Sequence, residues 1–273
     1  MPETVLITGA SSGVGRETAR LFSDRSWNVA AAMRSPEKET ELNQRPNVFI
    51  PRIDVTDSDS VSTGVRQTLE RFGAIDVVVN NAGYGLVSSF ERSSREQVAR
   101  QFATNVFGVM EVIRAALPSM RERQRGMIIN VASIGGRMAF PLYSLYHATK
   151  WSVEGFSESL RYELAPLGIR VKVIEPGPIR TDFYSRSADT TPVEKDGVYG
   201  DFSRKVLGRM AGFVNVFGSG PEAVAQVIYR AATDGRGQLR YTAGWAAGWI
   251  LFFREILPFS WFNYLVRLLT IHL

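Results

Sequence analysis

The sequence predicts an α/β protein, in which one domain forms a doubly wound, mostly parallel seven-stranded sheet with helices on both faces. Short apolar runs alternate with helical stretches along the chain, which is typical of parallel strands joined by right-handed crossovers. A length of 273 residues and a hydrophobic content of 45% suit one domain with a sizeable core. The predicted strands are Thr4–Ile7, Asn28–Met33, Val48–Ile53, Asp76–Val79, Met127–Val131, Arg170–Ile174 and Leu239–Tyr241.

The first strand leads directly into a glycine-rich turn with the spacing Gly-x-x-x-Gly-x-Gly, and a helical pattern follows over residues 16–25. Such glycines let the backbone approach a pyrophosphate, whose charge meets free N–H groups at the helix start. The turn therefore predicts a dinucleotide site. Because the spacing departs from the commoner Gly-x-Gly-x-x-Gly, a turn that merely packs helix against strand is the alternative. The predicted cofactor contacts here are Gly9, Ser11, Ser12, Gly13, Val14 and Gly15.

The end of the second strand indicates which dinucleotide is bound. A site specific for NAD would offer a carboxylate to the ribose hydroxyls there. Met33 and Arg34 occupy that place instead. A guanidinium can make paired hydrogen bonds to a 2′-phosphate. We therefore expect NADP(H), with an ordinary exposed arginine as the alternative interpretation.

Tyr146 and Lys150 stand four residues apart in a helical stretch, and Ser133 lies thirteen residues before Tyr146 at the end of an apolar run. On a helix this spacing puts an ammonium beside a phenol and favours the ionised phenol. A free phenol has a pKa of about 10, so a cation that lowers it serves acid–base catalysis near neutrality. Ser133 could bond the same carbonyl oxygen. Taken alone, the pair is equally compatible with an ordinary amphipathic helix.

Together these motifs resemble the short-chain dehydrogenase/reductase family, from about Thr4 to Thr242. The resemblance implies a Rossmann fold and a hydride-transferring enzyme. The residues that carry it, in the family's order, are Gly9, Gly13, Gly15, Asp54, Val55, Asn80, Asn81, Ala82, Gly83, Asn105, Ser133, Tyr146, Lys150, Pro176 and Gly177. Further cofactor contacts are implied for Asp54, Val55, Asn81, Ala82, Gly83, Tyr146, Lys150, Pro176, Gly177, Ile179 and Thr181.

The resemblance also implies individual catalytic roles. Tyr146 would be the general acid–base, and Ser133 would orient the substrate carbonyl. Lys150 would bind the nicotinamide ribose, while Asn105 would hold a water in a proton relay through Lys150. Single positions also have purely structural interpretations. Asn105 could be a polar residue on a solvated helix face, and Asp54 could be a helix cap. Asn81 and Gly83 could equally be simple turn formers.

Composition excludes several classes of function. The chain has no cysteine, hence no disulfide, no thiol nucleophile and no cysteine metal site, and a reducing compartment is compatible with this. His147 and His272 are too few and too far apart for zinc, so no metal is expected. The net charge of +5 does not indicate nucleic acid, because the arginines are scattered except at 121–125 and no aromatic residues interleave. We interpret His147 as a residue that only fills space on the catalytic helix.

Two regions bear on the substrate. Residues 182–220 are rich in apolar side chains without a clear strand, so they form either a lid over the site or a helical excursion that packs on the body. After the catalytic domain, 1–242, a tail over 243–273 carries aromatic residues at helical spacing. Charges interrupt the tail, so it is not expected to span a bilayer. It could pack on its own protein or a partner subunit, cover the substrate mouth, or lie on a membrane surface.

The sequence as a whole predicts an NADP-dependent oxidoreductase for a lipophilic ketone or secondary alcohol. The tail is weakly similar to extensions of family members that act on steroids and retinoids. The alternatives are a catalytically silent NADP-binding scaffold or redox sensor, and a 3-oxoacyl reductase. Because the first strand begins almost at Met1, no secretory signal is expected, and we expect a cytoplasmic protein. The helices over 97–120 and 143–164 resemble those through which relatives form homodimers or homotetramers.

Overall fold

The computed structural model describes residues 2–180, 188–190 and 197–272, without the side chains of 188–190 and His272. In this part of the chain, seven parallel strands form a central sheet in the order β3-β2-β1-β4-β6-β7-β9, and β5 pairs separately with β8. The strands are β1 (Thr4–Thr8), β2 (Asn28–Ala32), β3 (Val48–Phe49), β4 (Val77–Asn80), β5 (Gly85–Val87), β6 (Gly126–Val131), β7 (Ile169–Pro176), β8 (Ala188–Thr190) and β9 (Arg240–Ala243). The predicted doubly wound fold is confirmed.

Helices cover both faces of this sheet, as the alternation of apolar runs and helical stretches predicts. A π-helical segment over 103–107 joins two consecutive α-helices, and a second one over 268–272 follows the last α-helix described. The helices are α1 (Gly13–Asp24), α2 (Ser58–Phe72), α3 (Arg95–Phe102), α4 (Gly108–Glu122), α5 (Ser144–Leu164), α6 (Gly200–Phe217), α7 (Pro221–Thr233), α8 (Trp245–Ile256) and α9 (Phe259–Arg267).

Two apolar cores lie on opposite faces of the sheet because successive side chains of a strand point to opposite sides. In β1, Val5 and Ile7 face one core, in which Phe22 of α1 and Ile228 of α7 are fully buried. Leu6, between them, faces the other core, against α2, α4 and α5. Strands buried on both faces read as continuous apolar runs. That is why the strands could be located from the sequence.

The strand order reverses direction between β1 and β4, which places a crevice at their carboxyl ends. From β1 the chain winds to β2 and β3 on one side, and it then returns to β4 on the other side of β1. Ligands of open α/β sheets bind in the crevice at such a switch point. The glycine-rich turn, which follows β1, therefore stands at this position.

The structure corrects two details of the predicted elements. The third strand was expected over Val48–Ile53 but ends at Phe49, because Pro51 has no N–H to continue a ladder. Only an isolated bridge between Met33 and Arg52 continues the pairing. The region 182–220, expected to lack a strand, contains β8 and the long helix α6.

Candidate active site

A cavity of about 960 Å³ opens at the carboxyl ends of the central strands. It has the size of a small-molecule site, and apolar side chains predominate among its walls. Most residues that the sequence analysis singled out line it: Gly9, Ser11, Ser12, Gly13, Val14, Arg34, Asp54, Val55, Asn81, Ala82, Gly83, Ser133, Tyr146, Lys150, Pro176, Gly177 and Ile179. Gly15 and Asn105 lie behind this lining. Thr181 lies outside the described residues.

The glycine turn at the floor of the cavity fits a diphosphate. A Cβ on Gly9 would lie 2.9 Å from the Ala82 Cα, and one on Gly15 would lie 2.3 Å from the Gly9 carbonyl oxygen. Both positions therefore exclude a side chain, and Gly9 also has a positive φ of 68°. The N-cap Ser12 makes no side-chain capping bond, and the first turn of α1 carries no acidic residue. The N–H groups of this helix start are thus available to an anion.

Hydrogen bonds join the end of β1 to the end of β4 beneath this turn. The Thr8 hydroxyl accepts from the backbone N–H groups of Asn81 and Ala82, at 3.1 Å each. The Asn81 side-chain amide donates to the carbonyl oxygens of Thr8 and Gly9, at 3.0 and 3.3 Å. Asn81 is therefore more than a turn former, because its side chain ties the cofactor turn to the neighbouring strand. Thr8 was missed from sequence, since only this tertiary contact gives it a role.

At the end of β2, Arg34 is exposed and lines the cavity. Within the described residues no carboxylate forms an ion pair with its guanidinium, whereas the nearby Arg52 pairs with Glu37 at 2.8 Å. Arg52 also donates to the backbone carbonyl of Arg34 at 2.8 Å and so helps to hold that turn. An uncommitted guanidinium beside the cavity is the group that a 2′-phosphate requires.

The carboxylate of Asp54 lies further along the same wall of the cavity. It accepts bonds from the Thr56 backbone N–H and hydroxyl, at 3.0 and 2.7 Å. It is not the cap of the following helix, because Asp57 takes that position and accepts from the N–H groups of Asp59 and Ser60. The capping interpretation of Asp54 is therefore wrong.

Lys150 is a buried cation at the centre of the site. Its Nζ donates to the Val131 carbonyl oxygen at the end of β6, at 2.8 Å, and lies 5.8 Å from the centre of the Tyr146 ring. Burial lowers the pKa of Lys150 from 10.5 to about 8, while the Glu154 carboxylate raises it in part. The amine thus remains mostly protonated at neutral pH. A cation this close to the phenol favours its ionised form.

The phenol of Tyr146 belongs to an aromatic wall of the cavity. Tyr143 is buried, and its ring meets Tyr146 edge to face with 6.2 Å between ring centres. Phe140 packs on Tyr143 in the same way, at 4.8 Å. Ser133 lines the cavity too, where its hydroxyl oxygen accepts from the Gly135 N–H at 3.0 Å and keeps its own hydrogen for another acceptor. Tyr143 was missed because an aromatic residue before a helix carries no distinctive pattern.

Asn105 supports the site from behind. It lies in the π-helical segment and is buried, and such segments are frequent at functional sites. Its side chain exchanges hydrogen bonds with the backbone N–H and carbonyl of Tyr84, at 3.0 and 2.8 Å. It also donates to the Thr149 hydroxyl, next to Lys150, at 3.1 Å. The interpretation of Asn105 as a solvated surface residue is therefore wrong, and its role in a proton relay stays a prediction.

His147 anchors the loop above the cavity rather than filling space. The backbone N–H of Phe140 donates to its Nε2 at 3.2 Å, so the proton resides on Nδ1, which donates to the Gly135 carbonyl at 2.8 Å. Burial lowers the pKa of His147 from 6.5 to about 4. The neutral imidazole thus fixes the segment between Ser133 and Tyr143 on helix α5.

The upper half of the cavity is built by α6 and the tail. Apolar side chains from these helices predominate there: Met210, Phe213, Val214, Ile250, Phe253, Phe262, Leu265, Val266 and Leu269. The inner face of the tail packs on the body, since Ala247, Leu251 and Phe262 are buried against Ile134 and Met138. Arg209 also lines this half and was missed, although a cation within the apolar run Val206–Phe213 is visible in the sequence.

Comparison with known proteins decides the family. A family model described as short chain dehydrogenase matches residues 3–191. The chain belongs to this family. It is 40% identical over 213 residues to an uncharacterized oxidoreductase of Schizosaccharomyces pombe, covering 78% of this chain and 88% of that protein. It is 41% identical over 182 residues to a 3-ketodihydrosphingosine reductase of Bacteroides thetaiotaomicron, covering 67% and 66% of the two chains.

Solved structures agree with this assignment. A short-chain dehydrogenase from Streptomyces avermitilis superposes with a TM-score of 0.81 at 31% identity over 97% of both chains. ElxO with NADP bound superposes with a TM-score of 0.73 at 28% identity, over 89% of this chain and 98% of ElxO. The protein is thus a short-chain dehydrogenase/reductase, an oxidoreductase of CH–OH and C=O groups.

The buried His147 predicts a specific pH dependence of stability. Its pKa is depressed in the folded protein, so its contribution is present above pH 6.5 and is lost as the pH falls towards 4. The loss amounts to about 3 kcal/mol at the lower end of this window. Urea unfolding of wild type and His147→Gln should give free energies whose difference shrinks between these pH values. Parallel pH profiles would show that His147 does not titrate as its burial requires.

Proposed function

We propose that the protein is an NADP-dependent oxidoreductase, in which a hydride passes between nicotinamide and a lipophilic ketone or secondary alcohol. Tyr146 acts as the general acid–base. The observation that carries the proposal is one continuous cavity with two chemically different halves. The glycine turn and Arg34 line one half, apolar side chains of α6 and the tail line the other, and Tyr146 and Lys150 lie on its wall.

The chemistry follows from the residues around Tyr146. NADP(H), when bound, supplies or accepts the hydride. Tyr146 gives its phenolic proton to the carbonyl oxygen in reduction, or takes the proton in oxidation, and Ser133 donates a hydrogen bond to the same oxygen. The Lys150 ammonium lowers the cost of the phenolate, because it lies close by in a poorly solvated site. Asn105 ties helix α5, which carries Tyr146 and Lys150, to the π-helical segment 103–107.

Two observations support NADP over NAD. Arg34 stands without an ionic partner among the described residues, where an NAD enzyme would have a carboxylate. ElxO, with which this chain shares its fold and family, was solved with NADP bound. The adenine side of the cofactor would lie near Asp54 and Val55, and the nicotinamide side near Gly177 and Ile179.

The apolar half of the cavity supports a lipophilic substrate. Helix α6 and the tail close over Tyr146, exclude water from the reacting carbonyl and offer the hydrocarbon part of a substrate a dry wall. We propose the lid role for α6 on this ground, and an extension over the mouth for residues 243–273. The relationship to a reductase named for 3-ketodihydrosphingosine, a long-chain ketone, agrees with such a substrate.

A second candidate function is the reduction of a 3-oxoacyl group. The same relative is compatible with this alternative, since its name also describes a 3-keto compound. A catalytically silent scaffold is less well supported, because a scaffold has no use for a lysine buried beside a cavity-lining phenol. The substrate class and the catalytic role of Tyr146 therefore need separate tests.

The outer face of the tail supports contact with a membrane surface. No helix among the described residues is both long and apolar enough to cross a bilayer. Yet Trp249 and Trp261 are 61% and 68% exposed, and other exposed apolar residues surround them. Phe253 and Leu265 belong both to this exposed face and to the cavity lining. We propose that anionic lipid covers the face and that lipophilic substrate enters the cavity from it.

A different exposed face supports pairing of subunits. Trp151 on α5 is 50% exposed, and Phe107, in the π-helical segment next to it, is also exposed. The resemblance to the family implies pairing through these helices. We propose a homodimer, or a tetramer built from it, that forms through this face. The tail then remains exposed for contact with lipid.

Replacing Tyr146 by Phe tests the catalytic assignment. The change removes only the proton donor, so turnover should fall by at least about a thousandfold while NADPH binding stays within about twofold of wild type. Steady-state kinetics on a panel of long-chain, steroid and aromatic ketones, with NADPH titrated by fluorescence, measures both. Substantial turnover of any ketone by the variant would remove Tyr146 from its role.

Replacing Arg34 by Asp tests the cofactor assignment. The carboxylate would repel a 2′-phosphate and accept bonds from ribose hydroxyls, so the ratio of kcat/KM for NADPH over NADH should fall by about a hundredfold. Arg66→Asp is the matched control, because Arg66 pairs with Glu70 on the exposed side of α2 and does not line the cavity. An unchanged ratio in Arg34→Asp would contradict the assignment.

Two tryptophan variants separate the two surfaces. Trp261→Glu should weaken cosedimentation with phosphatidylglycerol vesicles by at least about tenfold, because it places a charge in the apolar lipid contact. Its sedimentation velocity should remain that of wild type. Trp151→Glu should dissociate the dimer and leave vesicle binding intact. A wild-type protein that does not cosediment with the vesicles would contradict the lipid contact. A Trp261→Glu variant that loses the dimer would instead assign the tail to a second copy of the chain.

A further inference from the structure

A guanidinium lies unpaired in the apolar half of the cavity. Arg209 lines the cavity from α6 and is only partly exposed. Its Nη1 is buried and has no hydrogen-bond partner. A charged donor that is buried without a partner costs free energy of folding. The guanidinium is therefore unsatisfied in the described structure, and a small rotation of its terminal bonds would turn Nη1 towards an acceptor bound in the cavity.

Arg209 differs from other arginines near the site, because Arg100 and Arg204 have partners and Arg34 is exposed to solvent. Arg100 also lines the cavity, but it is exposed and donates to the Tyr84 hydroxyl at 3.3 Å. On α6 itself, Arg204 points to solvent and pairs with Asp201 at 2.6 Å. Arg209 has neither solvent around Nη1 nor a carboxylate in the described chain to neutralise it.

The position of Arg209 in the fold points to the substrate rather than to the cofactor phosphates. Its neighbour Met210 packs into the cluster that contains Tyr143 and Tyr146. The phosphate cradle, by contrast, lies at the start of α1, and Arg34 lies at the end of β2. Phe213, one turn further along α6, lines the same wall as Arg209. Arg209 thus stands among groups that would surround an apolar chain.

We propose that Arg209 binds an oxyanion, a carboxylate or a phosphate, carried by an otherwise lipophilic carbonyl substrate. This inference rests on the proposed function and narrows its substrate class to amphipathic acids. The planar guanidinium can hold such an anion with two hydrogen bonds, which strengthen in a poorly solvated cavity. A neutral analogue leaves the buried donor unpaired, so the site discriminates against it.

Binding of non-reducible ligands tests the site without relying on turnover. Calorimetry on the NADP-loaded full-length protein would compare decanoate, decyl phosphate and decanol. At least one anion should bind wild type about tenfold or more tightly than decanol, as expected for a charged hydrogen-bonded pair. Arg209→Met, which keeps the apolar stem, should bring that anion within about threefold of decanol. The anion whose affinity falls more in Arg209→Met identifies the head group of the substrate.

The controls separate this role from others. Lys205→Met removes a cation one turn away on α6 that is exposed and does not line the cavity, and it should keep the preference for anions. Arg209→Lys should retain part of the preference for anions over decanol. Thermal melting should show that Arg209→Met is folded. The inference is overturned if wild type binds decanol as tightly as both anions. It is also overturned if Arg209→Met weakens NADPH binding and leaves the anion preference unchanged.

Kinetics distinguish a failure of this inference from a failure of the proposed function. With an oxodecanoate and its methyl ester, Arg209→Met should lower kcat/KM for the acid about tenfold or more and leave the ester within about threefold. If no ketone is reduced but anion binding depends on Arg209, the enzymatic proposal fails and the anion site stands. If wild type and variant reduce both ketones equally well, the proposed enzymatic function is supported and the anion site at Arg209 is ruled out.

Discussion

The contact between the ends of β1 and β4 is the constraint on which the site depends. The Gly9 backbone approaches Ala82 so closely that no side chain fits, and Asn81 and Thr8 close the junction with hydrogen bonds. This brings the start of α1, with its uncapped N–H groups, to the switch point of the sheet. Any residue larger than glycine at Gly15 would push the helix away from the strand and open the junction.

A second constraint is electrostatic and concerns the buried Lys150. Its ammonium donates to the end of β6 and lies beside the Tyr146 ring, so a desolvated cation stands next to the phenol that we propose as the acid–base. Burial depresses the pKa only to about 8, which leaves the cation present at neutral pH. Asn105 and His147 hold the flanking segments with buried hydrogen bonds. The surroundings of Tyr146 and Lys150 are thus preorganised, as the proposed acid–base chemistry would require.

The apolar half of the cavity is built differently, from elements outside the central sheet. Helix α6 and the tail each bury one face on the body and leave another face exposed. The tail's exposed side is continuous with the cavity through residues such as Phe253, so the proposed entry of substrate and the proposed contact with lipid would share one surface. Within this apolar wall, Arg209 provides the polar point by which a long substrate would be oriented.

The sequence by itself determined the sheet, the glycine turn and the set of motif residues, because strands buried on both faces and glycine positions leave local patterns. It also indicated Tyr146 and Lys150, since their spacing depends only on helical geometry. Tertiary structure alone decided the surroundings of Thr8, Tyr143 and Arg209, and the capping of α2 by Asp57 rather than Asp54. The physical reason is that hydrogen bonding and burial are set by contacts between distant segments, which no local pattern records.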